Sequence, residues 1–288
     1  MNWPATLVNS LWVGSSLPAW NTFRRALNRP DKTQQHLLGA MLADNMHCAY
    51  GRTHGFGQIA GYADFVRRVP LTDFETLAPW IDRIRSGERG VLTTAPVTHL
   101  LPTSGSTGAG KLIPFTQPLQ RQFNQAIGPW IADLALKHPQ ILFGPAYWSI
   151  TPPQKKSTTG SSVVPVGFAD DADYLGGAKA RLVRAGMVVP GRLSDTGDLE
   201  EFRFQTLLAL LKEPDLRLIS VWHPSFLTLL LDALPEMWEK ILAQLNLSDQ
   251  RRVHQLEQAN PLEPETLWPH LRVISCWGDG HAAMPLAE

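Results

Sequence analysis

The sequence predicts an α/β fold in which mixed sheets are covered by helices. Short apolar runs at residues 99–102 and 112–115 have the composition of strands, and they flank a loop of small polar residues. After this loop, strand-like runs alternate with helical apolar periodicity, which is the pattern of a sheet with crossover helices. A chain of 288 residues with 44% apolar residues can build one large core or two ordinary ones.

Three helices are predicted before the loop. Residues 7–20 are apolar with polar interruptions, and no Lys or Arg precedes them, which favours a helix that packs on the domain over a signal peptide. Residues 37–46 carry apolar side chains at helical spacing, and Gly51 follows as a stop. Residues 72–75 have the form of a capping box for a third helix, which ends at Gly87. The predicted apolar face of this helix consists of Phe74, Leu77, Ile81 and Ile84.

The remaining elements follow from short apolar runs and from apolar periodicity. Strands are predicted at residues 91–94, 97–101, 141–143, 147–150, 216–222 and 271–277. Helices are predicted at residues 118–137, at residues 199–212, from Pro224 onward, and within residues 235–269. Thr116 can cap the first of these helices. Residues 155–162 are predicted to be a polar surface loop, with a second phosphate contact as the alternative, and residues 278–280 are predicted to be a turn. The sequence contains no internal repeat and no clear linker.

Composition excludes several classes of function. Lysine plus arginine and aspartate plus glutamate both number 26, so the basic surface typical of nucleic-acid binding is not expected. The apolar N-terminal segment is too short to span a membrane. Cys48 and Cys276 form no metal-ligand or disulfide pattern, which favours a reducing cytoplasm. Five arginines are predicted to be solvated or ion-paired: Arg52, Arg67, Arg68, Arg83 and Arg85.

A run of small and hydroxyl-bearing residues forms the predicted anion-binding site. Its residues are Thr103, Ser104, Gly105, Ser106, Thr107, Gly108 and, after two more small residues, Lys111. Backbone N–H groups of glycine-rich loops turn inward around phosphates, hydroxyls add donors, and a lysine adds positive charge. The structural alternative is a solvated loop that binds nothing. The lysine and the flanking strands favour phosphate binding.

Part of this run also fits the pattern of a P-loop NTPase. Gly105 to Lys111 matches G-x-x-x-x-G-K, which in a P-loop is followed by Ser or Thr and by a helix. Here Leu112 follows, and Pro114 disfavours a helix and favours extended geometry in its neighbour. The loop is therefore predicted to lie between two extended segments, and a P-loop-like NTPase is the third alternative.

The loop resembles the phosphate loop of adenylate-forming enzymes, the ANL superfamily. Within that superfamily the chain resembles the GH3 family of acyl-acid amido synthetases. Five blocks occur in family order and with family-like spacing: YGRTHGF at 50–56, FVRRVPL at 65–71, IDRIRSGE at 81–88, TSGSTG at 103–108 and KLIPFT at 111–116. The ordered set is more specific than any single block.

The resemblance implies an ATP-dependent ligase. A carboxylic acid and ATP would give an acyl adenylate and pyrophosphate, and the amine of an amino acid would then displace AMP. It implies ATP and Mg²⁺ as cofactors, with magnesium brought by ATP, and the loop residues as the phosphate contacts. Small-molecule carboxylic and amino acids are the implied partners. The acid, the amine, the oligomeric state and the catalytic residues stay open.

Two strand ends are candidates for the rest of the site, because ligands in open α/β sheets bind beyond the carboxyl ends of strands. The first end carries Trp222 and His223. His223 is predicted to be a buried or capping residue, the alternative is a catalytic base, and its role stays open. The second end resembles a turn that lines the acyl and adenine sites in adenylating enzymes: Trp277, Gly278, Asp279 and Gly280. Asp279 and His281 depart from the commonest form of that turn, and their roles stay open.

The later motifs of the resembled family do not occur before Glu288. We therefore expect residues 1–288 to be the N-terminal part of a GH3-like adenylating domain, with the C-terminal remainder and the small C-terminal domain absent. The sheet is expected to be incomplete and the chain alone to be inactive. Whether the chain is a fragment, a split gene or a truncated gene product stays open. The alternative function is an ATP-binding or interaction protein without catalysis.

Overall fold

The computed structural model describes residues 2–103, 111–149, 162–168, 171–189, 198–246 and 248–286. The chain divides into two compact units. The hairpin unit consists of Pro18–Pro129 and Thr158–Phe168. The sheet unit consists of Met1–Leu17, Trp130–Ser157 and Ala169–Glu288. The first helix, α1 (Trp3–Leu27), begins in the sheet unit and ends in the hairpin unit.

Short helices and one β-hairpin build the hairpin unit. The helices before the hairpin are α2 (Pro30–Asn45), α3 (Ala49–Thr53), α4 (Tyr62–Arg68) and α5 (Phe74–Arg85). The strands β1 (Val97–Pro102) and β2 (Leu112–Thr116) pair in antiparallel fashion. Helix α6 (Gln117–Lys137) follows at once and belongs to the hairpin unit up to Pro129 and to the sheet unit from Trp130. The Thr116 hydroxyl accepts the Leu119 N–H at 3.3 Å as its cap.

Helix α5 packs against the hairpin through its apolar face. Its helix cap is Asp73, whose carboxylate accepts the Thr76 N–H at 2.8 Å. The buried core of this unit contains Ile81, Ile84, Val91, Leu100 and Leu112. Burial of the α5 face therefore ties the helix to both strands.

A parallel three-stranded sheet organises the sheet unit. Its strands are β3 (Ala146–Trp148), β4 (Leu218–Ser220) and β5 (Val273–Ser275), in the spatial order β3-β4-β5. The helices are α7 (Gly177–Gly186), α8 (Leu199–Lys212), α9 (Pro224–Asp232), α10 (Leu234–Asn246), α11 (Gln250–Glu257), α12 (Pro264–Leu267) and α13 (Ala283–Leu286). Helices lie between successive strands in the sequence, as parallel pairing requires. The three carboxyl ends therefore meet at one edge of the sheet.

Two buried side chains cap the carboxyl end of α8. The guanidinium of Arg252 donates to the backbone carbonyls of Leu211, at 2.7 Å, and Leu267, at 2.8 Å. The indole N–H of Trp268 donates to the Leu210 carbonyl at 2.9 Å. The last carbonyls of a helix lack partners within the helix, and a cation there also interacts favourably with the helix dipole. Burial lowers the pKa of Arg252, but its hydrogen bonds satisfy the charge.

The structure confirms most of the predicted elements. The helix at residues 199–212 is α8 with the predicted bounds, and the predicted helices at residues 37–46 and 118–137 correspond to α2 and α6. The strands predicted on both sides of the loop are β1 and β2. The strands predicted at 216–222 and 271–277 are β4 and β5, each shortened to three residues.

Several predicted elements are wrong or displaced. Residues 91–94 form no strand, because the carbonyls of Gly90 and Val91 accept the first N–H groups of α3 instead. Residues 141–143 belong to a 3₁₀ helix that begins at Pro139, not to a strand. The cap of α5 is Asp73 and not the first residue of the predicted box. Helix α7 was not predicted, and residues 151–161, which contain most of the predicted polar loop, lie outside the described residues.

The N-terminal helix is present, but it packs along one side only. Ala5, Trp12 and Ser16 are buried, whereas Trp3, Leu7 and Leu11 are exposed at a spacing of four residues. Among the described residues, no helix is both long and apolar enough to cross a membrane.

Candidate functional site

The hairpin brings the two ends of the predicted phosphate loop together. Pro102 pairs with Leu112, and the Thr103 N–H donates to the Lys111 carbonyl at 2.9 Å. The two ends of the loop therefore lie next to each other, as expected for an anion-binding loop that connects two paired strands. Thr103 and Lys111 are described. The predicted contacts Ser104, Gly105, Ser106, Thr107 and Gly108 lie outside the described residues, and their roles stay predictions.

The structure excludes the P-loop architecture for this loop. A P-loop is followed by a helix whose first hydroxyl residue reaches magnesium. Here Leu112 opens the strand β2, and its side chain is buried in the core of the hairpin unit. The P-loop-like NTPase proposed as the third alternative is therefore wrong.

Lys111 extends over the first turn of α5. Its ammonium nitrogen lies 5.5 Å from the centroid of the Phe74 ring, within the range of a cation–π interaction. The neighbouring Asp73 carboxylate accepts hydrogen bonds from the Thr76 hydroxyl and backbone N–H, and these bonds lower the pKa of Asp73. The positive charge of Lys111 lowers that pKa further. No ion pair of Lys111 is formed within the part of the chain that the structure describes.

In the sheet unit, the structure brings the two predicted strand ends together. Trp222 follows β4 and Trp277 follows β5, and each side chain is 60% exposed. The Trp277 N–H donates to the Trp222 carbonyl at 3.0 Å, and the rings meet edge to face with centroids 5.4 Å apart. Two large apolar side chains that stay exposed at the carboxyl edge of a parallel sheet form a surface suited to an apolar ligand.

The turn that follows β5 contains two glycines, Gly278 and Gly280. Gly278 and Asp279 are exposed, and Gly280 has a φ of +60°. A side chain at position 280 would be strained by this backbone geometry, although a β-carbon there would have no neighbouring atom within 4 Å. Asp279 occupies the cap position of the following 3₁₀ turn without a capping hydrogen bond from its side chain.

His223 has the structural role that the sequence predicts. Its Nδ1 accepts the Ser225 backbone N–H at 3.2 Å and lies 2.7 Å from the Ser225 hydroxyl, so it caps α9. The arginines also behave as predicted where ion pairs are formed: Arg67 with Asp64, Arg83 with Glu88, and Arg85 with Asp82. These residues contribute to local structure and are not drawn into the candidate site.

A third tryptophan lies at the carboxyl edge of the sheet, and the sequence did not single it out. Trp148 ends β3 and packs against Trp12 and Trp130, with centroids 5.3 and 5.9 Å away. Its indole N–H is buried without a hydrogen-bond partner in the described ranges. Its only signal in the sequence is its position within the strand predicted at residues 147–150.

Metal-ligating side chains are not clustered in the described part of the chain. No group of three or more His, Cys, Asp or Glu residues there has the arrangement of a metal site. Cys48 and Cys276 are free thiols, and Cys48 caps α3 by accepting the Gly51 N–H at 3.2 Å.

In comparisons with known proteins, most of the chain matches one family. The profile of the GH3 family N-terminal domain matches residues 19–284. The probable indole-3-acetic acid-amido synthetase GH3.2 of Oryza sativa subsp. japonica is 38% identical over 86 residues, which are 29% of this chain and 14% of that protein. The jasmonoyl--L-amino acid synthetase GH3.3 of the same plant is 34% identical over 105 residues, or 36% of this chain and 23% of that protein.

Solved structures share the fold. A GH3.15 acyl acid amido synthetase superposes with a TM-score of 0.69 at 22% identity, over 90% of this chain and 50% of that one. AtGH3.15 in complex with 2,4-DB gives a TM-score of 0.73 at 20% identity, over 88% of this chain and 49% of that one. This chain thus spans about half the length of these structures, and its alignments cover less than a quarter of the curated relatives.

Proposed function

Since the chain belongs to the GH3 family, we propose that it serves in an ATP-dependent acyl-acid amido synthetase. In the first step, a carboxylate oxygen of the acid attacks the α-phosphorus of ATP, which forms the acyl adenylate and releases pyrophosphate. In the second step, the amine of an amino acid attacks the acyl carbon, which forms the amide and releases AMP. The relatives support this proposal, because they are named as an indole-3-acetic acid-amido synthetase and a jasmonoyl--L-amino acid synthetase.

The observation that carries the proposal is the hairpin, in which Lys111 lies at the end of the loop directly before β2. The antiparallel strands hold the two loop ends by the Thr103–Lys111 hydrogen bond, and a cationic side chain is placed beside the loop. Phosphoryl chemistry needs little covalent help from the protein, because positioning and charge stabilisation account for most of the catalysis. We assign the phosphate contacts to Lys111 and to the loop of residues 103–108, with Mg²⁺ bound to the ATP phosphates.

The carboxyl edge of the sheet unit supplies the second part of the proposal. We assign the acyl or adenine side to the exposed indoles of Trp222 and Trp277 and to the turn that follows β5: Gly278, Asp279 and Gly280. Flat apolar side chains bind flat apolar groups without requiring hydrogen bonds.

The two free cysteines also favour a cytoplasmic location.

The test is AMP release by the protein expressed from its complete reading frame. The probe acids are indole-3-acetic acid, jasmonic acid and 2,4-DB, together with a broader panel of carboxylic acids and a mixture of the twenty amino acids. The proposal predicts AMP release that requires both an acid and an amino acid. ATP binding without acid-dependent pyrophosphate exchange by any acid would instead support the alternative, an ATP-binding protein without catalysis.

A further inference from the structure

Phe74 is the aromatic side chain that lies under the proposed phosphate lysine. The two residues are 37 positions apart in the sequence, and the ammonium of Lys111 stands 5.5 Å from the Phe74 ring centroid. A lysine ammonium within about 6 Å of an aromatic face is attracted by the negative face of the ring. The ring therefore offers the flexible lysine a preferred position.

The position of Phe74 is itself fixed by α5. Phe74 is the first residue of the helix, directly after the cap Asp73, so its backbone is held by the capping hydrogen bonds. The ring is half-buried and packs on the core cluster that contains Ile81, Ile84 and Leu112. Leu112 follows Lys111 in the chain, so the same core holds both the ring and the strand that carries the lysine.

The negative charge of Asp73, which precedes Phe74 in the first turn of α5, also attracts the ammonium of Lys111. The carboxylate of Asp73 lies near enough to Lys111 for the lysine charge to contribute to its lowered pKa. The ammonium is thus attracted both to the ring and to the cap of α5. Lysine is a point charge on a four-carbon stem, and its contribution to phosphate binding depends on where that stem is held.

We propose that Phe74 is a positioning residue for Lys111, and that the first turn of α5 orients the lysine toward the nucleotide phosphates. This inference rests on the proposed role of the loop in binding ATP. Phe74 does not contact the reacting atoms and acts through Lys111 alone. A purely structural role of Phe74 would require only an apolar side chain of similar size.

The test compares Phe74→Leu, Phe74→Tyr and Phe74→Trp in acid-dependent ATP–pyrophosphate exchange by the complete protein. Leucine keeps the apolar volume but removes the aromatic face. We expect Phe74→Leu to lower kcat/KM for ATP by about two- to fivefold, and the two aromatic variants to keep it within twofold of wild type. In a Lys111→Ala background, Phe74→Leu should have no further effect on kcat/KM.

Trp80 provides a matched control on the same helix. Its ring lies under Arg83, with the guanidinium carbon 5.1 Å from the centroid, and it packs edge to face on Tyr50. Trp80→Leu therefore removes an aromatic face and a cation–π contact that do not involve Lys111. We expect it to leave kcat/KM for ATP unchanged, whatever it does to thermal stability.

The outcomes separate this inference from the proposed function. If Lys111→Ala keeps wild-type exchange, the assignment of the loop itself is wrong. If Lys111→Ala loses exchange while Phe74→Leu matches wild type, the loop assignment stands and the positioning role is overturned. The positioning role is also overturned if Phe74→Leu and Lys111→Ala reduce kcat/KM by independent factors, since Phe74 would then act without the lysine.

Discussion

Trp277 donates its backbone N–H to the Trp222 carbonyl at 3.0 Å, and the two indole rings meet edge to face at the carboxyl edge of the sheet. The pairing joins the ends of two parallel strands that are 55 residues apart in the sequence. Both rings remain 60% exposed, so they contribute more to the surface of the protein than to its core.

Trp277→Ala should weaken binding of the acid more than it weakens folding. Loss of one indole from the edge-to-face pair removes area that we assign to ligand contact, and we expect KM for the acid to rise about tenfold, about 1.4 kcal/mol. Trp3→Ala is the matched control, because Trp3 is also an exposed tryptophan, 71% accessible, on α1. Steady-state kinetics with indole-3-acetic acid or the best acid of the panel checks this. An unchanged KM would remove Trp277 from the acyl side.

Arg252→Met should destabilise the sheet unit without touching the site. The variant leaves the Leu211 and Leu267 carbonyls without their donors, and we expect the free energy of unfolding to fall by about 3 kcal/mol. Arg251→Met changes the same type of residue at an exposed position of the same helix and should have little effect. Urea unfolding of both variants measures the difference. Equal unfolding midpoints would contradict the capping role of Arg252.

When the pH is lowered, the Asp73→Asn variant should lose less folding stability than the wild-type protein does. The pKa of Asp73 is lowered from its usual value of 3.8 by the Thr76 hydrogen bonds, so the folded state favours the carboxylate. Its stabilisation is therefore present above that usual value and is lost as the pH falls through the lowered pKa. Asparagine still caps a helix but does not titrate.

Urea unfolding at about pH 5 and at a pH well below 3.8 measures this effect, because the stabilisation is lost as the pH falls below the usual pKa of Asp73. The wild-type protein should lose more stability between them than Asp73→Asn does. Thr76→Val, which removes the largest cause of the shift, should give an intermediate loss. Identical losses in all three proteins would show that the cap does not couple to the titration.

The sequence predicted those parts of the fold that are determined locally. Helix α8 has apolar residues at helical spacing and an aspartate cap, and both signals lie within the segment itself. The strand predicted at residues 91–94 failed because its first carbonyls are used by α3, about forty residues earlier. An apolar run shows that a segment is buried, but it does not show which N–H groups its carbonyls accept.

In the candidate site too, the sequence predicted what lies within one segment but not the contacts between distant segments. Trp222 and Trp277 could be placed at strand ends from the sequence, whereas their contact depends on the spatial order of the strands. Lys111 was identified from the loop motif, but Phe74 was predicted only as part of an apolar helix face. The contact between the two depends on how α5 packs on the hairpin, and nothing near either residue in the sequence encodes it.

Leu112→Thr tests whether the loop is different from a P-loop. The substitution restores the residue type that binds magnesium in a P-loop, but Leu112 lies on β2 and its side chain faces the core. We expect no gain in magnesium-dependent ATP affinity, and a loss of stability of about 2 kcal/mol from burying a hydroxyl in place of an apolar group. Calorimetric titration with ATP and Mg²⁺ checks the affinity. A clear gain would favour the P-loop assignment.

The most direct measurement is acid-dependent ATP–pyrophosphate exchange by Lys111→Ala in the complete protein. We predict that exchange falls at least tenfold, about 1.4 kcal/mol or more of lost charge stabilisation, while the thermal unfolding transition stays at its wild-type temperature. Wild-type exchange by a folded Lys111→Ala protein would contradict the assignment of this loop to the ATP phosphates.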